Sequence, residues 1–269
     1  MKNIVIILII IFLVSIIYSH FVLDKTRYIL KNKRFDKNMK VLFLSDLHNR
    51  NIVKKILEIV DIENPDIIIF GGDMSNERIK ETDKVFKLID KLKNKTIYYT
   101  FGNHEEMMNN KDYKLYLNKL NKTHAKILNN ETIKLSQNIN LIGFNSGIKA
   151  YFKFHKLGLS KKIILNSINK IDDKKYNIMI AHNPLEFSSY VDSNIDLVLS
   201  GHVHGGLARI PLIGGILSPD YTFFPKYDSG MYIKKRTRMI VSRGIGYSKR
   251  IPFRIFNPGE IVIISLMKD

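Results

Sequence analysis

The sequence predicts an α/β domain that follows an N-terminal transmembrane helix, and three observations lead to this prediction. From Lys40 onward, short apolar runs alternate with segments in which apolar residues recur at helical spacing. After Gly206, glycines and prolines mark loops, and the remaining apolar runs are typical of strands. Before Lys40, one apolar run is long enough to cross a bilayer. We therefore expect an α/β body whose sheet is completed by antiparallel strands.

The first element is the apolar run Ile4–Leu23, which only Ser15, Ser19 and His20 interrupt. At a rise of about 1.5 Å per residue this run spans about 30 Å, the thickness of the hydrocarbon core of a bilayer. A cleaved signal peptide is the alternative, but the run is long for one, and its end lacks a clear small-residue cleavage motif. We predict an uncleaved anchor over residues 1–25 that crosses the cell membrane once.

Residues 26–39 are rich in lysine and arginine, and we expect them to form a basic juxtamembrane segment between the anchor and the domain. The positive-inside rule then points the domain toward the cytoplasm. Because the whole chain is basic, with 43 Lys and Arg against 25 Asp and Glu, the rule is weakened and the side of the membrane stays open. On either side, this basic collar could hold the domain against anionic lipid.

The body, residues 40–269, is predicted to be a single domain in which helices alternate with strands. Helical spacing predicts helices over Asn51–Glu63, Arg78–Lys93, Lys111–Asn121 and Ser160–Ile171. The expected strands are Val41–Ser45, Asp66–Phe70, Ile97–Phe101, Ile139–Phe144, Asn177–Ala181, Leu197–Ser200, Met231–Ile233, Met239–Ser242 and Glu260–Leu266.

Composition narrows the classes of function. The apolar share of 45% provides a sizeable core and excludes a disordered chain. The chain has no cysteine, so a metal site must use nitrogen and oxygen donors. The net charge of +18 would suit nucleic acid, but the basic residues are spread over the chain and the aromatic residues form no recognisable base-stacking platform. We expect no nucleic-acid partner and a monomeric protein.

Five short motifs carry the chemistry, and each follows an apolar run that is predicted to be a strand. They contain Asp, Asn and His, and they are Ser45-Asp46-Leu47-His48, Gly71-Gly72-Asp73, Gly102-Asn103-His104-Glu105, Ala181-His182-Asn183 and Gly201-His202-Val203-His204-Gly205. Ligands in open α/β sheets bind beyond the carboxyl ends of the strands, so these segments are expected to converge on one rim.

Each motif alone has an ordinary structural interpretation, such as a turn at Gly72-Asp73 or a helix cap at Asn103. Their joint occurrence after strands favours metal binding instead. Asp46 and His48 lie two residues apart, so on an extended stretch their side chains would point to the same side. Mixed imidazole and carboxylate donors suit manganese, iron, zinc or nickel, and not calcium or magnesium alone. Two such ions side by side can hydrolyse phosphate esters.

The ordered set Asp-x-His, Gly-Asp, Gly-Asn-His-Glu, His and Gly-His-x-His resembles the signature of the calcineurin-like metallophosphoesterases, in particular of their bacterial, membrane-associated phosphodiesterase branch. The resemblance covers the chain from about Lys40 to its end. It implies two stacked β-sheets flanked by helices. Leu207 departs from the pattern, because relatives often have glutamine there.

The resemblance also implies roles for individual residues. One metal would be held by Asp46, His48 and His204, the other by Asn103, His182 and His202, with Asp73 bridging the two. The catalytic residue would be His104, which would stand free of the metals near the leaving group; our hypothesis is that it donates a proton to the departing alkoxide or steadies the developing charge. We add two hypotheses: Glu105 orients His104 or a ligand, and Arg243 meets a substrate phosphate.

The expected function is hydrolysis of phosphodiester or pyrophosphate bonds by two divalent ions, manganese before iron, zinc or nickel, at a membrane surface. Lipid-linked substrates are favoured, because the anchor and the basic residues place the site at an anionic surface. A nuclease or a phosphodiesterase for soluble nucleotides is the alternative that the net charge suggests. A non-catalytic scaffold is a third possibility, which would predict missing ligands, and none is missing.

Overall fold

The computed structural model of this chain describes residues 2–151, 161–168, 171–210, 212–219, 221–247 and 253–269. Its strands form two six-stranded sheets and a short hairpin. Helices cover the outer face of each sheet, as the clusters of buried residues described below indicate. The expected two-sheet α/β fold flanked by helices, with an apolar N-terminal helix, is confirmed.

The first sheet combines four neighbouring parallel strands with two long strands at one side. In spatial order its strands are β1 (Leu23–Asn32), β14 (Gly259–Lys268), β2 (Met39–Leu44), β3 (Ile67–Gly71), β4 (Thr96–Thr100) and β5 (Lys126–Ile127). β14 runs antiparallel to β2, whereas β2, β3 and β4 are parallel to one another.

The second sheet has parallel strands at its centre and antiparallel strands at both edges. In spatial order its strands are β12 (Gly230–Lys234), β13 (Thr237–Val241), β9 (Leu197–Ser200), β8 (Tyr176–Ala181), β7 (Ile139–Phe144) and β6 (Glu131–Lys134). A separate hairpin is formed by β10 (Arg209–Ile210) and β11 (Gly214–Gly215).

The helices that sequence spacing predicts are present, with shifted ends. They are α1 (Lys2–Phe21), α2 (Val53–Glu63), α3 (Asp83–Lys91), α4 (Asn103–Glu106), α5 (Asn110–Leu120), α6 (Lys161–Ser167) and α7 (Phe187–Val191). Asn109 caps α5 by accepting hydrogen bonds from the next turn. The helix expected from Ser160 to Ile171 is shorter, and its first expected residue lies outside the described residues. Among the described residues, α1 is the helix long and apolar enough to cross a membrane.

Successive side chains of β2 point to opposite faces of the first sheet, and this alternation shows how the layers of the fold pack. Leu42 and Leu44 pack with α2, α3 and α5 on the outside of the first sheet. Val41 and Phe43 point the other way and join residues of the second sheet in the core between the sheets. A third cluster lies between the second sheet and helices α6 and α7. A strand that is buried on both faces has a continuous apolar sequence, and this is why these strands could be predicted from the sequence.

The region expected to be a basic juxtamembrane segment, residues 26–39, differs from that expectation. β1 already begins at Leu23 and pairs in parallel with β14 over its whole length. The side chains of Tyr28 and Leu30 turn inward, whereas those of Arg27 and Lys31 are exposed. The lysines and arginines in the sequence conceal this alternation, because only every second residue of an edge strand has to be apolar. The first half of the basic collar, residues 26–32, is thus part of a strand whose exposed face carries basic side chains.

Phe35 tests whether this region belongs to the folded domain. Its ring is buried and meets the Tyr176 ring edge-on at 4.6 Å between centroids, which connects the segment after β1 to the second sheet. We expect Phe35→Ala to lower the free energy of unfolding by about 3–5 kcal/mol. Ile29→Ala, on the exposed side of β1, should change it by less than about 0.5 kcal/mol. Denaturant unfolding of both variants measures the difference; equal midpoints would contradict it.

Candidate dinuclear metal centre

The candidate ligands come from five strand ends that meet at one rim. Asp46 follows β2, Asp73 follows β3 and Asn103 follows β4 in the first sheet, while His182 follows β8 in the second. His202 and His204 follow β9, the neighbour of β8. Because parallel strands end at the same edge, the stacking of the two sheets brings all five loops together.

The loops reach the centre through left-handed turns and not through extended backbone. Asp46 and His48 have φ angles of 55° and 46°, so the expectation that they lie on an extended stretch is wrong. Asp73, His202 and His204 also have positive φ, at 52°, 71° and 54°. Such conformations cost roughly 1–3 kcal/mol each for a residue with a side chain. The ligand loops are therefore among the strained parts of the fold.

The first group of donors consists of Asp46, His48 and His204. His48 Nε2 lies 3.1 Å from His204 Nε2, and His204 Nε2 lies 3.4 Å from Asp46 Oδ1. The side-chain oxygen of Asn76, Oδ1, accepts a hydrogen bond from His48 Nδ1 at 3.2 Å. This bond turns His48 Nε2 toward the other donors. The backbone N–H of His202 donates to Asp46 and holds its carboxylate in place.

The second group consists of Asp73, His182 and His202, with Asn103 beside them. His182 Nε2 lies 3.1 Å from Asp73 Oδ2 and 3.7 Å from Asp46 Oδ1. His182 Nδ1 donates to the Gly71 carbonyl at 2.7 Å, so Nε2 is the nitrogen available to an ion. In each group the donor atoms lie within 4.8 Å of one another. Asp73 stands close to both.

The donor set fits divalent cations. Two donors bound to one ion at about 2.0–2.2 Å lie roughly 3.0–3.4 Å apart at ordinary coordination angles, as the closest pairs here do. Asn103 Oδ1 is buried and has no hydrogen-bond partner among the described residues. Buried polar atoms without a partner are costly, so a cation that accepts their lone pairs would stabilise the rim.

Electrostatics prepare most of these groups for metal. Burial lowers the pKa of His48 to about 3 and that of His204 well below its usual range, so both imidazoles are neutral. Burial, with the Asp73 charge, raises the pKa of Asp46 to about 6. His182 is the exception: burial opposes its charged form, yet the Asp73 and Asp46 carboxylates raise its pKa to about 10. In the metal-free protein, a proton on His182 partly compensates the two carboxylates.

Glu105 fixes the backbone of the loop that carries Asp73 through hydrogen bonds. Its carboxylate accepts from the backbone N–H groups of Asp73 and Gly102 at 2.9 Å and from that of Ser75 at 3.1 Å. The Tyr99 hydroxyl donates to it at 2.9 Å. Of the two roles suggested for Glu105, positioning a ligand is the one that these contacts match. A Cβ at Gly102 would collide with the Asp73 carboxylate, so only glycine allows this approach.

His104 lies at the edge of the cluster. Its Nε2 is 3.9 Å from Asp73 Oδ2, and its Nδ1 is 3.4 Å from Glu77 Oε1. Its side chain is 19% exposed, whereas those of His48, His182 and His204 are almost completely buried. His104, like the partly exposed His202, can therefore meet both an incoming molecule and the rim.

Sequence reasoning missed three residues around His204 and His48. Arg254 is fully buried, donates to the Gly246 carbonyl and places Nη2 3.2 Å from His204 Nδ1; burial lowers its pKa to about 9. Asn257 donates to the His204 carbonyl at 2.7 Å. Asn76, described above, is the third. Since these residues lie outside the motifs, the sequence contains no signal that could have identified them.

Arg243, suggested as a contact for substrate phosphate, has another role. Its guanidinium lies 2.9 Å from an Asp24 carboxylate oxygen and 3.4 Å from one of Glu260, and its side chain is largely buried. These ion pairs connect β1 and β14 to the loop after β13. The guanidinium thus has two acidic partners within the protein, and the suggested contact with a substrate phosphate stays a prediction.

The family model described as calcineurin-like phosphoesterase matches residues 39–206, which include every candidate ligand. The chain belongs to the calcineurin-like phosphoesterase family. The resemblance seen in the motifs is thereby confirmed.

Three relatives illustrate the range of the family. A protein from Helicobacter pylori, described as an uncharacterized metallophosphoesterase, is 31% identical over 87% of this chain and 61% of its own length. A metallophosphoesterase from Aquifex aeolicus is 25% identical over 93% of this chain and 95% of its own. A zebrafish (Danio rerio) transmembrane protein with a metallophosphoesterase domain is 24% identical over 85% and 53%. The chain spans about three fifths of the length of the Helicobacter relative.

Replacing Glu105 tests how this calcineurin-like phosphoesterase positions Asp73. Glu105→Gln turns an acceptor into an amide that faces backbone donors, so the Asp73 loop should shift. We expect Mn²⁺ affinity, measured by isothermal titration calorimetry, to fall about 10–100-fold. Glu58→Gln, on the exposed face of α2, should bind as the unchanged protein does. Equal affinities for the two variants would exclude this role.

The raised pKa of His182 predicts proton release. Below pH 10 the metal-free phosphoesterase carries a proton on His182, and a metal ligand must be neutral, so binding expels that proton. Apparent metal affinity should rise as the pH is raised toward about 10. Calorimetry of Mn²⁺ binding at pH 8, in buffers of different ionisation enthalpy, should report a net release near one proton. The His182→Asn variant should lose this proton release, and the control variant His124→Asn should keep it. A heat independent of the buffer would contradict it.

Proposed function

We propose that this protein hydrolyses phosphodiester or pyrophosphate bonds at a membrane surface with two divalent ions, manganese first among them, and that its substrates are lipid-linked. The observation that supports the reaction is that three donor groups of three residues each overlap, with Asp73 in two of the three. Single metal sites have no need of a shared carboxylate, whereas paired ions in hydrolases of this chemistry commonly lie about 3.5–4 Å apart.

Asp46, His48 and His204 would hold one ion, and Asn103, His182 and His202 the other, with Asp73 between them. When bound, such ions activate water and neutralise phosphoryl oxygens. The protein side chains contribute position and exclusion of water. Buried donors such as His182 and His204 keep their direction because hydrogen bonds and packing fix each ring.

His104 is proposed to donate a proton to the departing oxygen of the substrate. Glu77 Oε1 lies 3.4 Å from its Nδ1, and its Nε2 faces the rim, 3.9 Å from Asp73 Oδ2. Because the side chain is partly exposed, a substrate ester oxygen can approach it from solvent. A positioned general acid is typically worth about 10²–10⁴ in rate.

The membrane component of the proposal rests on α1 and on its contact with the domain. α1 has the length of a bilayer crossing, and its last turn packs on the domain through Ser19 and His20. The zebrafish relative is named as a transmembrane protein with the same domain. A site fixed to a membrane helix would meet substrates that stay in the membrane.

A substrate panel tests the proposal. Full-length protein in lipid nanodiscs with Mn²⁺ should cleave bis-(4-nitrophenyl) phosphate and a phospholipid or lipid-linked pyrophosphate faster than 4-nitrophenyl phosphate. Asp73→Asn should abolish all turnover. Preference for nucleotides or DNA over lipids would instead support the nuclease or nucleotide phosphodiesterase. Absence of hydrolysis with every ester would refute the proposal.

His104→Ala separates catalysis from metal binding. We expect turnover of the diester to fall about 10²–10⁴-fold, with Mn²⁺ affinity within a few-fold of the unchanged protein. His124→Ala, far from the motifs in sequence, should leave both unchanged. If His104→Ala retained full turnover, the proton would have to come from another group.

A further inference from the structure

The end of α1 is attached to the domain at several points. The backbone N–H of Asn257 donates to Ser19 Oγ at 3.0 Å, and the Tyr247 ring stacks on His20 with 5.3 Å between centroids. Lys55 donates to the Phe21 carbonyl at 2.5 Å, which satisfies a carbonyl at the helix end. With contacts on several sides, α1 fixes the orientation of the domain relative to any bilayer that the helix crosses.

The length of α1 requires part of the domain to enter that bilayer. Ser15 and Ser19, one turn apart, are buried on one face of the helix, whereas every residue of Ile4–Val14 is exposed. The exposed part covers only about 16 Å at 1.5 Å per residue. A hydrocarbon core is about 30 Å thick, so lipid must also surround the turns that contact the domain. The domain surface beside Ser15–Phe21 therefore lies within the lipid interface.

An exposed apolar surface lies next to the contact between the end of α1 and the domain. We define the hairpin surface as Leu212, Ile213, Phe223, Phe224 and Phe256, all exposed. Leu212, Ile213 and Phe256 line one cavity of about 380 Å³, and Phe256 precedes Asn257, which binds Ser19. The strand-like segment with Phe223 and Phe224 pairs with Ile216 and Leu217 after the hairpin. Clustered apolar side chains of this kind mark interaction sites on soluble surfaces.

The hairpin surface is also close to the metal centre. Gly206 and Gly215 approach so closely that a Cβ at Gly206 would lie 2.7 Å from Gly215 Cα, so the hairpin rests on the loop that carries His204. From Gly215 to Leu212 the chain can extend at most about 10 Å. The hairpin tip therefore lies within about 10 Å of Gly215, which packs on the loop that carries His204.

We propose that the hairpin surface inserts into the bilayer that α1 crosses, so that the metal centre faces the level of the lipid phosphates. The proposal rests on the proposed function only in taking α1 as a membrane-spanning helix. Its occupant is lipid, because α1 brings the surface to the bilayer through the contact between Ser19 and Asn257, the neighbour of Phe256. The net charge of +18 favours anionic headgroups at the same level.

Because the chain contains no cysteine, single cysteines can report the depth of each position without background labelling. Leu212→Cys and Phe223→Cys in the full chain are labelled with an environment-sensitive dye and placed in nanodiscs of phosphatidylethanolamine and phosphatidylglycerol, whose two faces are both open to solvent. Ile233→Cys is the matched control: Ile233 is 65% exposed against 69% for Phe223, but it lies at the opposite end of the second sheet from the metal rim.

Spin-labelled lipid should quench the dyes at 212 and 223, and aqueous iodide should quench them several-fold less than the dye at 233. Iodide quenching equal to that at 233, or failure of the full chain to enter nanodiscs, would overturn the proposal. Equal unfolding midpoints verify that each variant is folded. The readout is independent of turnover, so an inactive protein with lipid-shielded dyes refutes only the catalytic proposal, and an active protein with exposed dyes refutes only this one.

Discussion

Two buried carboxylates, Asp46 and Asp73, share one rim with four imidazoles, and the charge of this cluster constrains the rest of the structure. Isolated ionised groups are expensive to bury, and here the two acids raise each other's energy. A protonated His182 compensates part of that charge in the metal-free protein. Cations would compensate it fully and would also satisfy Asn103, whose side-chain oxygen is otherwise unpartnered among the described residues.

The backbone around the rim is conformationally strained by this arrangement. Ligand residues such as Asp46 and His204 adopt left-handed conformations that residues with side chains usually avoid. Regular elements hold these loops: buried strands on one side, and the Glu105 carboxylate with its three backbone donors on the other. Strain of this kind persists only where the surrounding structure fixes it, and the two-sheet core provides that support.

Much of the fold was predictable because its central strands are buried on both faces. Their apolar runs are continuous, and polar donors such as Asp73 and His182 follow them at once. β1 was not recognised as a strand, because Arg27 and Lys31 on its exposed face look like a basic linker. The roles of Arg254 and Asn257 depend on contacts between distant segments, and no local pattern reports such contacts. The backbone conformation of Asp46 and His48 was equally hidden, because alternation arguments assume an extended chain.

The central claim is that the chain holds two cations at once. Its most direct test is the metal content of full-length protein, loaded with Mn²⁺, freed of excess metal and analysed by inductively coupled plasma mass spectrometry against the protein concentration. The account predicts two ions per chain in the unchanged protein and clearly fewer in Asp73→Asn. One ion or none in the unchanged protein, or an unaltered count after removal of the Asp73 carboxylate, would contradict it.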